Sequence, residues 1–424
     1  MTEREKLLKV IQQLNIVLPK CKYIKNEQLK AFIVTQLNNQ KSPKLTKSKS
    51  LPQLNLRNQV KETLTPPQNQ KKINIRKCIF PKVPKLVAIG DLHGDLQAAI
   101  KALKLANVID HSISNRTRDL NKINWTGGKT VVVQLGDQID RVRPSELVND
   151  LCPENDSELN QDEGSDLKII CLFEKLHSQA IKQGGALFSI FGNHELMNVD
   201  GDFRYVSPKE FKEFGTFFKE DKTISTKNDV PYGFVTRKNV FAPGGTLAKK
   251  LAQTRYSVLQ IGSWLFVHGG ISPQTANEYP LDVINISIQQ WLNGNEEQKY
   301  LSIVNKIYHT DNENLSPFWC RIYGENDDSQ TESIFNKTLE ILNKRNNRNE
   351  KNAIKGMIIG HTPQFMYNKG LNSCFSKRLW RTDVGVSRAF GLNNKETPLL
   401  ESKNRKVQVL VIMNDNDFKI MKEG

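Results

Sequence analysis

Five short apolar runs in this 424-residue chain each stop at a glycine-marked polar motif, and that repetition restricts the fold more than any other feature. The runs are Lys85 to Ile89, Thr130 to Leu135, Ala186 to Phe191, Trp264 to Val267 and Gly356 to Ile359. The motifs that close them are Gly90-Asp91-Leu92-His93-Gly94, Gly136-Asp137-Gln138-Ile139-Asp140-Arg141, Gly192-Asn193-His194-Glu195, Val267-His268-Gly269-Gly270 and Ile359-Gly360-His361-Thr362. A short apolar run bounded by turn signals reads as a buried strand. Helical patterns over Leu96 to Ala106 and Leu167 to Lys182 fall between the first runs, so the first half of the core alternates β and α and belongs to the α/β class. Later strands, Leu379 to Val384 and Val407 to Met413, suggest a second sheet.

Histidine is scarce, with seven in the chain, yet four of them (His93, His194, His268 and His361) lie inside the motifs. A strand end presents its next residues in a loop, where polar groups converge without leaving unpaired atoms along the strand. Asp91 and His93 are two residues apart in an extended segment, so both can point to one side and share a metal. Asp137 has two carboxylate oxygens with which to bridge two ions, and Asn193, His268 and His361 complete the shell of the second. Mixed carboxylate and imidazole ligation suits Mn, Fe or Zn. Two adjacent divalent ions activate a water against a phosphate ester, so these residue types imply a reaction class as well as a fold. His111, His177 and His309 belong to no motif and read as surface or packing residues.

The net charge of +16 is unevenly placed. Met1 to Lys85 carries 19 Lys plus Arg against 4 Asp plus Glu, leaving 42 against 41 for the rest. Basic character therefore belongs to the N-terminal segment, which reads as a flexible tether or as a contact for a partner or an anionic surface, and not to the near-neutral core. Within it, residues 1–37 show two short amphipathic helical patterns, and 38–84 is rich in Asn, Gln, Lys, Ser and Pro, the composition of a disordered linker. The core domain is expected over 85–424. No apolar run approaches the roughly 18 to 20 residues of a membrane-spanning helix, and Met1 to Lys20 lacks the pattern of a secretory signal, so a cytoplasmic location is expected with the nucleus as the alternative. Six cysteines without regular spacing read as reduced thiols, although Cys152 and Cys171 are a conceivable redox pair.

In their order, Gly-Asp-x-His-Gly, Gly-Asp-x-x-Asp-Arg, Gly-Asn-His-Glu and His-Gly-Gly resemble the phosphoprotein phosphatase branch of the calcineurin-like metallophosphoesterases. Gly192-Asn-His-Glu-Leu-Met-Asn198, Tyr205-Val-Ser-Pro208, Ala242-Pro-Gly-Gly245 and Gly360-His-Thr-Pro-Gln364 are similar to the Shewanella-like phosphatases and to a related group of giant-virus phosphatases. The resemblance covers about Lys85 to Met413 and implies two mixed β-sheets packed as a sandwich and flanked by helices. It further implies a metal-dependent phosphoric monoester hydrolase acting on phosphorylated protein, at Ser/Thr or Tyr, through a metal-bridging hydroxide.

By the same likeness Asp91, His93 and Asp137 hold the first ion, and Asp137, Asn193, His268 and His361 the second. His194, oriented by Asp140, protonates the leaving oxygen, and Arg141 holds the phosphate. A second phosphate arginine is expected at Arg321, with Arg388 as the rival. The chain departs from the family where Val142, Arg143 and Pro144 replace the usual glycine after Arg141, and where Arg143 to Asp166 holds eight acidic residues against one Arg. Two other functions fit the same residues: a small-molecule phosphoesterase such as a dinucleoside polyphosphate hydrolase, and a non-catalytic binding protein that recruits partners through its N-terminal helices.

Overall fold

The computed structural model describes residues 77–144, 146–156, 159, 162–345, 353–390 and 405–424. The helices expected in 1–37 and most of the basic linker lie outside these residues. Twelve strands among the described residues form two six-stranded mixed sheets. The strands are β1 (Ile79–Phe80), β2 (Lys85–Ile89), β3 (Val131–Gln134), β4 (Ala186–Ile190), β5 (Arg255–Tyr256), β6 (Val258–Ile261), β7 (Trp264–Val267), β8 (Gly356–Ile359), β9 (Asn372–Cys374), β10 (Leu379–Arg381), β11 (Gln408–Met413) and β12 (Asp417–Lys422).

One sheet runs β12-β11-β2-β3-β4-β5 and the other β1-β6-β7-β8-β10-β9. In the first, β2 to β5 are parallel while β11 is antiparallel to β2. All five motif-bearing strands appear where the apolar runs placed them. Of the two late strands, β10 does join the second sheet, but β11 returns to the first beside β2, with Val411 opposite Val87. The linker expected up to residue 84 also gives way earlier, because Ile79 and Phe80 pair with Gln260 and Ile261.

Strands β3 and β4 are buried at every residue, which is why they read as continuous apolar runs and not as alternation. Both sheets feed a single core. Phe418 on β12 meets Trp264 and Trp380 of the opposite sheet, with ring centroids 5.2 and 5.1 Å away, and Phe80 on β1 meets Phe188 and Tyr256 across the other end, at 5.1 and 6.3 Å.

The helices that bear on the site are α1 (Leu96–Leu105), α2 (Asp166–Lys182), α3 (Asn193–Asp200), α4 (Pro208–Phe218) and α5 (Phe234–Phe241). Helix α1 starts at Asp95, whose side chain accepts from the Ala98 N–H, and α4 at a capping box of Ser207 and Glu210. Cys78, Cys152, Cys171, Cys320 and Cys374 are free thiols.

Candidate active site

The motif loops emerge from neighbouring strand ends and meet at Asp137. Asp91, His93, Asp137, Asn193, His194, His268 and His361 are all buried, each at 5% exposure or less. Two groups of ligand-type atoms share the Asp137 carboxylate: one with His93 and His194, the other with His268 and His361. Asp137 Oδ2 is 3.3 Å from His268 Nε2, 3.7 Å from His93 Nε2 and 3.9 Å from His194 Nε2. Four of the site residues, His93, Asp137, Asp140 and His361, have left-handed backbones with φ of 39°, 48°, 73° and 66°. Such conformations cost energy in non-glycine residues and cluster where function demands a particular side-chain direction.

The donor set fits a cation. His268 donates Nδ1–H to the Leu135 carbonyl at 2.6 Å, so its Nε2 faces Asn193 Oδ1 at 3.0 Å as well as Asp137. His361 donates Nε2–H to Trp319 O at 3.2 Å and turns its Nδ1 lone pair to the same Asn193 oxygen at 2.9 Å. Asp137, Asn193, His268 and His361 thus turn polar atoms to one point; burial works to lower His268, but Asp137 holds it above the usual imidazole range, so the point favours a positive charge such as a bound ion supplies. Asp91 accepts from the His361 N–H through Oδ2, while its buried Oδ1 has no protein partner among the described residues.

Charge crowding shows in the titration behaviour. Burial, with Asp383 and then Asp137 beside it, holds Asp91 well above the usual carboxylate range. Burial would raise Asp137 too, but His268, His194 and His93 together hold it well below. His361 is held well below the usual imidazole range by burial, then by His268 and Arg321.

His194 stands at the first turn of α3 with Nδ1 at 2.8 Å from Asp140 Oδ2. Its ring lies 4.8 Å from that of His93 and 5.0 Å from that of Tyr205. Glu195 locks two motif loops together, accepting from Gly192 N at 2.7 Å, Gln138 N at 2.7 Å and Asp137 N at 3.0 Å.

The arginines part company. Arg141 is buried, with Nη1 donating to Ser387 Oγ at 3.2 Å and Nη2 at 3.7 Å from Asp95. Val142 is also buried and donates its N–H to Tyr205 O at 3.2 Å, which is the path the loop takes without a glycine after Arg141. The half-buried Arg143 follows, its guanidinium between the rings of Tyr205 and Phe390 at 4.9 Å from each centroid. Its Nη2 is 3.0 Å from His93 Nδ1 and 3.4 Å from His194 Nε2. Arg321 is half-buried near His361, and Arg388 is bound to Asp95 at 2.9 Å and to Glu163. The described part of the acidic insert is anchored beside the site, Leu151 packing on Phe203, Val206 and Phe211, and Asp162 accepting from Lys209 N at 3.2 Å.

The sequence pattern of the calcineurin-like phosphoesterases matches residues 84–381. The chain belongs to that family. This phosphoesterase is 34% identical to an uncharacterised protein of Acanthamoeba polyphaga mimivirus, over 59% of this chain and 97% of the other. It is 30% identical to Shewanella-like protein phosphatase 2 of Arabidopsis thaliana, over 73% of each chain. Its fold is that of a cold-active protein-tyrosine phosphatase of a psychrophilic Shewanella sp., at TM-score 0.53 and 19% identity over 84% of this chain and 89% of that one. The phosphoesterase is therefore a phosphoester hydrolase with a His/Asp metal-binding cluster.

In the sequence of this phosphoesterase Arg143 stands out only as a departure from the family pattern, and Glu195, Asn198, Arg237 and Asp383 carry little mark of a role of their own. Asp383 is a buried acid beside Asp91 and Asp137, pushed up to about 6 by burial, with its Oδ2 unpartnered among the described residues. Only its Asp-x-Gly-x-Ser setting marks it in the sequence.

Proposed function

We propose that this phosphoesterase is a protein phosphatase in which His194 supplies the leaving-group proton. The observation that carries the proton donor is the Asp140–His194 pair at 2.8 Å on the rim of the metal-binding cluster. Support for the substrate class comes from the 30% identity with a Shewanella-like protein phosphatase over 73% of both chains.

On this reading Asp91, His93 and Asp137 hold one divalent ion, and Asp137, Asn193, His268 and His361 the other. The ions, when bound, supply the positive charge that polarises the phosphate and makes water reactive near neutral pH. Manganese, iron and zinc all suit this mixture of carboxylate and imidazole. Asp140 accepts from His194 Nδ1 and so directs Nε2 toward the substrate. A serine or threonine alkoxide leaves poorly without a proton, so an oriented acid is what a phosphoserine or phosphothreonine substrate requires; phosphotyrosine requires it less. Arg143, and not the buried Arg141, grips the phosphate oxygens with its guanidinium fork, steadied by Tyr205 and Phe390. Arg321, whose charge bears on His361, is the second phosphate arginine on this reading.

The test is a substrate panel at matched metal loading: phosphoserine, phosphothreonine and phosphotyrosine peptides against a dinucleoside polyphosphate, on wild type and His194→Asn. Faster release from the peptides, lost in the variant, supports the reading. Faster cleavage of the dinucleotide would move the assignment to a small-molecule phosphoesterase.

A further inference from the structure

A buried arginine stands behind the Asp140–His194 pair. Arg237, on α5 in the helical segment between β4 and β5, is fully buried and packs on the rings of Phe214 and Phe241, at 4.6 and 5.4 Å. Its Nη2 donates to Asp140 Oδ1 at 3.1 Å and to Asp166 Oδ2 at 2.8 Å, and its Nε donates to Asn198 Oδ1 at 2.7 Å. Asn198, one turn beyond His194 on α3, returns its amide to both Asp140 oxygens, at 2.9 and 3.1 Å, and to the His194 carbonyl at 2.9 Å.

A carboxylate has two equivalent oxygens and turns freely about its own bond unless one of them is claimed. Here Arg237 claims Oδ1 alone while Asn198 spans both oxygens, which leaves Oδ2 turned to His194 Nδ1. The constraint acts on a residue that projects from a left-handed backbone, φ 73°, a conformation found where function demands a particular side-chain direction. Arg237 also balances the buried Asp166, but replacing a buried ion pair by apolar side chains of similar volume often costs no stability, so its contact with Asp140 is the part that bears on function.

We infer that Arg237, relayed by Asn198, is a positioning residue for proton donation: it fixes the rotation of the Asp140 carboxylate and through it the aim of His194. The inference rests on His194 being the proton donor. Arg237 touches neither substrate nor metal, so its loss acts on the leaving group and leaves metal binding in place.

Leaving-group dependence reads this directly. Initial rates of the full-length, metal-loaded protein are compared on p-nitrophenyl phosphate, whose leaving group departs without help, and on phenyl phosphate, whose leaving group needs a proton. Wild type, His194→Asn, Arg237→Met, Arg237→Lys and the His194→Asn/Arg237→Met double variant are measured side by side. The expected result for Arg237→Met is a loss of about ten- to a hundredfold in kcat on phenyl phosphate and under about threefold on p-nitrophenyl phosphate. Arg237→Lys should recover part of it, and the double variant should be no worse than His194→Asn alone, because residues acting as one unit are not additive.

Equal losses on both substrates, or a double variant that loses both single effects in full, would overturn the inference. A His194→Asn variant with no leaving-group dependence would instead remove the proton-donor reading, and this inference with it. Should Arg237→Met fail to fold, Asn198→Ala withdraws the second donor from Asp140 Oδ1 and is read by the same comparison.

Discussion

His194 Nδ1 lies 2.8 Å from Asp140 Oδ2, and Asp140 reaches it from a left-handed backbone at φ 73°. An aspartate there accepts the imidazole N–H and stabilises the charged ring, whereas an asparagine of the same shape carries no negative charge to do so. Asp140→Asn is therefore expected to lower kcat on phenyl phosphate by about 10²- to 10³-fold with little change in KM. Steady-state kinetics at matched metal content checks this, and an unchanged kcat would remove Asp140 from the proton path.

Arg141 and Arg143 should separate in two measurements. Arg143→Ala is expected to lower kcat/KM by about 10²-fold while the melting temperature changes little, since it removes a half-buried guanidinium that faces the site. Arg141→Ala leaves Asp95 to Arg388 and takes a buried donor from Ser387, and should destabilise the fold by about 1 to 3 kcal/mol. Thermal unfolding beside kinetics on both variants decides; the reverse pattern would return the phosphate to Arg141.

A Cβ at position 360 would come within 2.3 Å of Asp91 Oδ1. Glycine is thus required beside the ligand for space and not for backbone freedom. Gly360→Ala is expected to push the Asp91 carboxylate aside and weaken metal binding by about 10- to 100-fold. Competition with a fluorescent chelator measures it, and wild-type affinity would show that Asp91 is not a ligand.

The carboxyls of Asp166 and Glu210 pair with one another beneath Arg237, and both are buried. Burial pushes Asp166 up to about 6, although Arg237 works against it, and burial with Asp166 beside it holds Glu210 well above the ordinary glutamate value. The folded protein holds a proton that the unfolded chain releases near 3.8. The contribution of Asp166 is therefore complete below that value and is lost as pH rises through about 6, while Glu210, also raised, keeps its own proton above the ordinary glutamate range. Glu210→Gln offers Asp166 an amide donor in place of the shared proton. Urea unfolding from pH 4.5 to 7.5 should show wild type losing about 1 to 2 kcal/mol relative to the variant across this range. Parallel curves would mean the pair shares no proton.

Much of this was legible in the sequence, for identifiable reasons. Strands such as β4 are covered on both faces and so appear as apolar runs, and the ligands follow them directly because strand ends are where polar groups converge. Strands β1 and β5, two residues each, carry too little pattern to see, and nothing in Val407 to Met413 reveals that β11 pairs with β2. The arginines are harder to read in the sequence, for a geometric reason. Which of Arg141 and Arg143 reaches the site depends on the loop path set at Val142, where the N–H bonds to Tyr205 O. Arg237 lies 97 residues from Asp140 in an ordinary helix, so only packing shows what it holds.

The most direct measurement is phosphate release from a phosphopeptide by the chelator-stripped full-length protein as divalent metal is titrated back, with metal content determined on the same samples. The expected result is negligible release without metal, full activity as content approaches about two ions per chain, and loss of about 10³-fold or more in Asp137→Asn. Release that persists in the stripped protein, or that survives Asp137→Asn at full metal content, would contradict a phosphatase centred on Asp137.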